Sequence, residues 1–185
     1  TETINRWGRV ISIGGEHTLS LGVARAVKES QGSYGIYVHV DAHLDSREEW
    51  PVGQRLSHAT FVRHIVNEVK PQAIAFIGFR SYDRDEINFA RSLENSLLLP
   101  TRDIKLMSEH ELRLLIRGLI DGYPGPIHLS IDVDALDPSI MPGVGNPEGF
   151  GLNYGELLRV IKAVLDYGGS RVRAVDIVEY SPPND

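Results

Sequence analysis

The chain reads as a three-layer α/β/α fold on a mostly parallel sheet. Apolar, β-branched runs of strand length alternate with helix-length patterns, and those runs are mostly continuous in hydrophobicity. Polar clusters also recur just after them. Continuous runs belong to strands covered on both faces, and strand–helix alternation leads to parallel pairing.

RVISI (9–13), YGIYVHV (34–40), QAIAFIG (72–78), PIHLSIDV (126–133) and RVRAVDIV (171–178) are the expected strands, with IKLM (104–107) as a further short one. Helices are expected over about 18–30, 58–70, 84–96, 109–121 and 154–167. Ser108 with Glu111, and Asn153 with Glu156, have the spacing of capping boxes opening the last two. No linker, repeat or low-complexity segment divides residues 1–185, so one domain is expected.

The composition narrows the function classes. A hydrophobic fraction of 42% and a charged fraction of 24% are those of an ordinary globular protein. A net charge of −6 without a basic run argues against nucleic acid or an anionic membrane surface as partner. The absence of cysteine removes disulfides, thiolate nucleophiles and cysteine-based zinc sites, and fits a cytoplasmic setting. No run approaches the roughly 20 apolar residues of a membrane span.

The chemistry lies in the polar clusters. GGEHT (14–18) follows the first strand, DAHLD (41–45) the second, and DVDALD (132–137) closes the strand over 126–133. Ligands of parallel α/β sheets bind at the carboxyl ends of strands, so the three clusters should share one rim. Asp132 and Asp134 stand where a buried strand should still be running, and an unpaired buried carboxylate is costly. Something positive should face them.

Alternation along an extended segment would turn Asp41, His43 and Asp45 to one side, and Asp132 and Asp134 likewise. His17 adds a second imidazole. Six such ligands exceed a four-ligand structural zinc site. They suit two divalent ions about 3.5–4 Å apart with a shared water or hydroxide. Two dications balance four aspartates, and oxygen and nitrogen ligation without thiolate suits manganese, although affinity alone would not select it.

Taken singly, these residues have plainer readings. An aspartate after a strand is usually a turn or cap, and Asp137 before Pro138 reads as a turn. Thr18 could be a helix N-cap, His39 and His128 packed core histidines, and His64 and His110 solvated helix residues. The combination points to metal.

GGEHT, DAHLDS (41–46) and SIDVDALDPS (130–139) together resemble the metal motifs of the ureohydrolases, the arginase and agmatinase family. GVGNPEGFGLN (143–153) and VDIVEYSPPND (175–185) resemble further family segments in the expected order. The resemblance implies an arginase-like fold with two Mn2+ ions per chain. By position, His17, Asp41, Asp45 and Asp132 would hold one ion, and His43, Asp41, Asp132 and Asp134 the other. It also implies a small guanidino-type substrate attacked by a metal-bridging hydroxide. Glu179 would pair with the guanidinium, Asp45 would accept a hydrogen bond from the nucleophile, and His58 would carry protons. A homo-oligomer, trimer or hexamer, is expected. Against the family's greater length, either an early strand and helix are absent or the sequence is an excised piece, and a final helix would be expected after it.

The chain departs from the family at Glu16, where aspartate is common, and at Asn146, Phe150 and Asn153. Arg47 stands where arginases have an asparagine that reads the α-carboxylate, so it becomes a candidate substrate-binding residue unless Glu48 or Glu49 engages it in solvent. Together with SHATFVRHI (57–65) and EYSPPND (179–185), this favours agmatine, cleaved to putrescine and urea. Arginine, guanidinobutyrate and formimidoylglutamate stay open as substrates, as does a metal-binding but inactive homologue. GGEHT is not a GxGxxG phosphate loop, which disfavours a nucleotide-binding module.

Overall fold

The computed structural model describes residues 1–184. A short helix α1 (Glu2–Trp7) leads into β1 (Val10–Ile13), α2 (Leu19–Gln31) and β2 (Ile36–Val40). After a long loop come α3 (Phe61–His64), which continues as a π-helical turn over Ile65–Val69, and β3 (Ala73–Ile77). The remainder runs α4 (Arg84–Ser92), β4 (Ser96–Leu99), α5 (Thr101–Leu106), α6 (Glu109–Gly122), β5 (Ile127–Asp132), α7 (Tyr154–Gly168) and β6 (Val172–Val178).

The six strands form one sheet in the order β1-β6-β5-β2-β3-β4, and every pairing is parallel. Ile36, Val38 and Val40 of β2 pack with Ile104 of α5, Leu112 and Ile116 of α6, and Val160 of α7. Tyr37 packs on the other side with Ile4 of α1, Leu21 and Val27 of α2, Phe61 of α3 and Ile87 of α4. The sheet is therefore the middle of three layers, as expected. Strands β2, β3 and β5 are buried at every residue, which is why their runs are mostly hydrophobic. β4 and β6 are covered only in part, and the edge strand β1 leaves Ile11 and Ile13 exposed.

Local signals set most boundaries. The capping boxes at Ser108/Glu111 and Asn153/Glu156 form, and Asp83/Glu86 makes a third at the start of α4. The expected strand over 104–107 is a correction. Thr101–Leu106 is helical behind its N-cap Pro100, whose carbonyl accepts the Asp103 and Ile104 N–H groups, and the edge strand is Ser96–Leu99, paired with β3. The helix expected to reach 96 accordingly stops at Ser92. The helix expected from 58 starts at Phe61, with 58–60 in a turn.

Candidate metal centre

Four contiguous strands, β1, β6, β5 and β2, end on the same rim. At neighbouring-strand spacing their ends span roughly 14 Å. His17 follows β1, Glu179 follows β6, Asp132 closes β5 with Asp134 just beyond, and Asp41, His43 and Asp45 follow β2.

The residues meet through turns rather than through strand alternation, which corrects the expectation. Asp41 Oδ1 accepts the His43 backbone N–H at 2.6 Å, and Asp132 Oδ1 accepts that of Asp134 at 2.8 Å. Each is an Asx turn made by an aspartate two residues before its donor. Asp134 Oδ1 accepts the Ala42 N–H at 3.1 Å, tying the ends of β5 and β2 together. Asp45 reaches the cluster from left-handed backbone, with φ of 49°, and Glu179 does the same at 66°. Such strain in non-glycine residues persists only where surrounding structure enforces it, commonly at functional sites.

With one oxygen of each of three aspartates held by backbone, the other faces an imidazole. His17 Nδ1 lies 3.0 Å from Asp41 Oδ2, 3.2 Å from Asp45 Oδ2 and 3.2 Å from Asp132 Oδ2. His43 Nδ1 lies 3.0 Å from Asp134 Oδ2 and 3.3 Å from Asp41 Oδ1. The structure thus brings all six candidate ligands together in two sets that share Asp41. His17 Nε2 contacts Ser130 Oγ at 2.9 Å on its far side, an arrangement that fixes the ring and leaves Nδ1 aimed at the carboxylates.

The donor set fits a metal. His17 Nδ1 and Asp41 Oδ2 are both fully buried, and neither has a hydrogen-bond partner of acceptable geometry although they face each other. Asp41, His43 and Asp134 likewise converge closely enough to share one ion. The electrostatics agree. Burial and neighbouring carboxylates push Asp45, Asp132 and Asp134 upward. Burial also works against Asp41, but the imidazoles around it hold it well below the usual carboxylate range. Burial opposes the His43 cation too, yet Asp134 and Asp41 raise that ring to about 11. Protons and a metal would compete for the same atoms, so metal affinity should rise with pH.

A cavity of about 190 Å³ opens over this cluster, lined by Glu179, His58, Arg47, Trp50, Glu86 and Glu148 among others. Glu179 Oε1 accepts the His17 N–H at 2.6 Å, and burial moves its carboxyl upward. His58 lines the cavity with a partly exposed side chain, its Nδ1 3.4 Å from Glu16 Oε1. Glu16 therefore contacts His58, and its other close partner is the Thr18 hydroxyl, which donates to it at 2.6 Å. Arg47 does not engage Glu48 or Glu49. Its guanidinium lies over the Trp50 ring at 4.6 Å, with Nε 3.5 Å from Glu86 Oε2 and 3.6 Å from Asp83 Oδ2.

Several supporting residues escaped the sequence reading. Buried Glu86 accepts the Ser46 and Asp83 N–H groups, holding the loop that carries Asp45 against α4. The D-x-x-E spacing at 83–86 is the signal that could have found it. Half-buried Arg80 donates to the carbonyls of Asp134, Leu136, Glu148 and Gly149, joining the end of β5 to the loop after it. Glu148 also accepts the Ser81 hydroxyl at 2.9 Å and lies 3.9 Å from His43 Nε2. Asp137 is a turn residue as expected, accepting from Ser139 and Gly151. His128 is packed and hydrogen-bonded as expected, to Tyr34 at 2.8 Å and Asp176 at 2.6 Å.

Among the described residues, no helix is long and apolar enough to cross a membrane. Similarity to known proteins accords with the geometry. The chain is 32% identical over 179 residues to a guanidinobutyrase of Pseudomonas aeruginosa, covering 95% of this chain and 54% of that protein. It is 33% identical over 173 residues to an N(1)-aminopropylagmatine ureohydrolase of Thermus thermophilus, covering 94% and 55%. The solved structure of proclavaminate amidino hydrolase from Streptomyces clavuligerus superposes with a TM-score of 0.82 at 30% identity, covering 95% and 57%. The chain therefore spans little more than half the length of these relatives. The arginase family model matches residues 1–185, and the chain belongs to the arginase family.

Proposed function

We propose that residues 1–185 form one ureohydrolase domain that hydrolyses a linear guanidino compound at a two-manganese centre, with agmatine as the favoured substrate. The observation that carries this reading is the convergence of His17 on three carboxylates and of His43 on two. His17, Asp41, Asp45 and Asp132 would hold one ion, and His43, Asp41, Asp132 and Asp134 the other. Two divalent ions bound there supply an acidified water as the nucleophile.

The chain's own residues do the rest. Glu179, one oxygen pinned by the His17 N–H, presents its carboxylate to the cavity and orients the guanidinium by charge-assisted hydrogen bonds. Asp45 accepts a hydrogen bond from the attacking water and steers it towards the guanidinium carbon. His58 on the cavity wall passes a proton to the departing amine as urea forms.

The outer wall supports an amine tail. Arg47 is answered by Glu86 and Asp83, and Glu148 adds further acidity. Agmatine carries an ammonium there, and one relative is named for an N-alkylated agmatine. A guanidino acid is the second reading, because Arg47 is still a cation on the cavity wall and another relative is a guanidinobutyrase. A homo-oligomer, trimer or hexamer, completes the proposal.

The test is urea release from agmatine, arginine and guanidinobutyrate, and formamide release from formimidoylglutamate, alongside the metal content of the same sample. Agmatine turnover that Asp132→Ala abolishes is the expected result. Preference for guanidinobutyrate would transfer the tail assignment to the second reading. A folded chain that binds no divalent metal would overturn the proposal.

A further inference from the structure

We infer that His39 is a positioning residue for this centre, its Nε2–H holding the Asp41 oxygen that faces His17. The inference rests on the two-metal reading above and adds a residue to which that reading gives no role.

His39 lies on β2, fully buried. Both of its ring nitrogens lack a hydrogen-bond partner, and so does Asp41 Oδ2. A neutral imidazole carries one N–H, and a buried donor and a buried acceptor left unmet together are a costly pair. The two face each other, His39 Nε2 3.3 Å from Asp41 Oδ2, within hydrogen-bond distance although the angle between them is not yet that of a hydrogen bond. The ring is otherwise walled by aromatic surfaces, with Phe61, Phe76 and Tyr37 all within 5.9 Å centroid to centroid.

His39 could instead act as a third imidazole ligand beside His17, since His17, His39 and Asp41 converge. Ring geometry argues against that role. The two imidazoles are stacked at 5.0 Å with only 22° between their planes. Imidazole lone pairs lie in the ring plane, so near-parallel stacked rings do not direct them at one ion. The His43 backbone is the ring's other polar neighbour, and the direct approach of Nε2 to Asp41 Oδ2 favours donation to the shared carboxylate. Asp41 would then be fixed at both oxygens, Oδ1 by the His43 N–H at 2.6 Å and Oδ2 by His39. An aspartate shared between two ions gains most from being locked in this way, and outer contacts of this kind are worth about 10–100-fold in metal affinity.

The test is Mn2+ affinity of the full chain, measured by chelator competition, for the unmodified protein, His39→Phe and His39→Gln. Phenylalanine fills the space without a donor, and glutamine returns an N–H near Nε2. His39→Phe should bind Mn2+ about 10–100-fold more weakly, and His39→Gln should recover most of the loss. Equal affinity of the unmodified protein and His39→Phe would overturn the inference while leaving the two-metal reading intact. So would a folded His39→Gln no better than His39→Phe. An unmodified chain that binds no Mn2+ would overturn the two-metal reading itself. If His39→Phe fails to fold, the tautomer of His39 in the 15N-labelled metal-free protein decides. Nε2–H is expected, and Nδ1–H would overturn the role.

Discussion

Asp132→Asn should change the sign of its effect on stability according to whether metal is present. Asparagine keeps an amide oxygen to accept the Asp134 N–H at 2.8 Å, so the Asx turn survives and only the charge is lost. Burial, then the charges of Asp134 and Asp41, push the Asp132 carboxyl up in the fold. The metal-free folded state therefore holds that proton more tightly than the unfolded chain, whose aspartates titrate near 3.9. Above about pH 4 the Asp132 carboxyl therefore contributes a loss of stability as pH rises, which Asp132→Asn should escape. With chelator at neutral pH the variant should melt no lower than the unmodified chain.

Metal reverses the order. An ion at 100 times its dissociation constant adds about 2.7 kcal/mol to the folded state. For a chain of this length each kcal/mol moves Tm by about 2–4 °C, so one ion should raise Tm by roughly 5–11 °C and two by more. Asp132 belongs to both proposed ligand sets, so Asp132→Asn should forfeit most of that rise. Thermal melts with Mn2+ and with chelator, from pH 5 to 8, measure all four states. A chelated variant several degrees below the chelated unmodified chain would show that Asp132 stabilises the fold without metal and would refute the reasoning.

Glu179→Gln keeps an acceptor for the His17 N–H but removes the charge, so kcat/KM for a guanidino substrate should fall about 100-fold with metal content unchanged, the size of one lost charge-assisted contact. Asp176 is fully buried and, although burial opposes its charge, His128 holds its carboxyl low. Its stabilising contribution should be complete above about pH 4, where unfolded aspartate is ionised, and lost as pH falls through its lower folded value. Asp176→Asn should thus cost about 2 kcal/mol in neutral urea titrations, and the gap should close in acid. At Gly151 an added Cβ would stand 2.4 Å from the Asp137 nitrogen and 2.5 Å from Leu136 backbone carbon. Those atoms belong to backbone and cannot swing aside, so Gly151→Ala should cost about 1–3 kcal/mol in the same titrations.

The ligand positions were legible because charge in an apolar context is conspicuous without knowledge of the fold. Asp132 at the end of a mostly apolar strand has to be explained whichever strand lies beside it. The same reasoning reached the right convergence by the wrong route. Alternation along an extended strand would bring Asp41, His43 and Asp45 to one side, but the chain leaves β2 at Val40 and gathers them through an Asx turn and a left-handed Asp45. The edge of the sheet was misread for a related reason. SLLL and IKLM are both short apolar runs with no decisive period, and pairing with β3 makes the first a strand while Pro100 starts the second as a helix.

The residues that stayed hidden share a physical character: their partners come from elsewhere in the chain. Arg80 is satisfied by carbonyls more than fifty residues away, and Ser130 by a histidine 113 residues away. A fully hydrogen-bonded arginine and an uncharged serine leave no local electrostatic anomaly in a sequence. Glu86 did leave one, the D-x-x-E spacing of a helix cap, but that signal accounts for the start of α4 and says nothing of Ser46 or Arg47. His39 is the instructive middle case, for an isolated core histidine looks ordinary until both of its nitrogens are found without partners beside one aspartate oxygen in the same state. What a sequence exposes is the group whose burial needs explaining, whereas the groups that supply the explanation become visible only when distant segments meet.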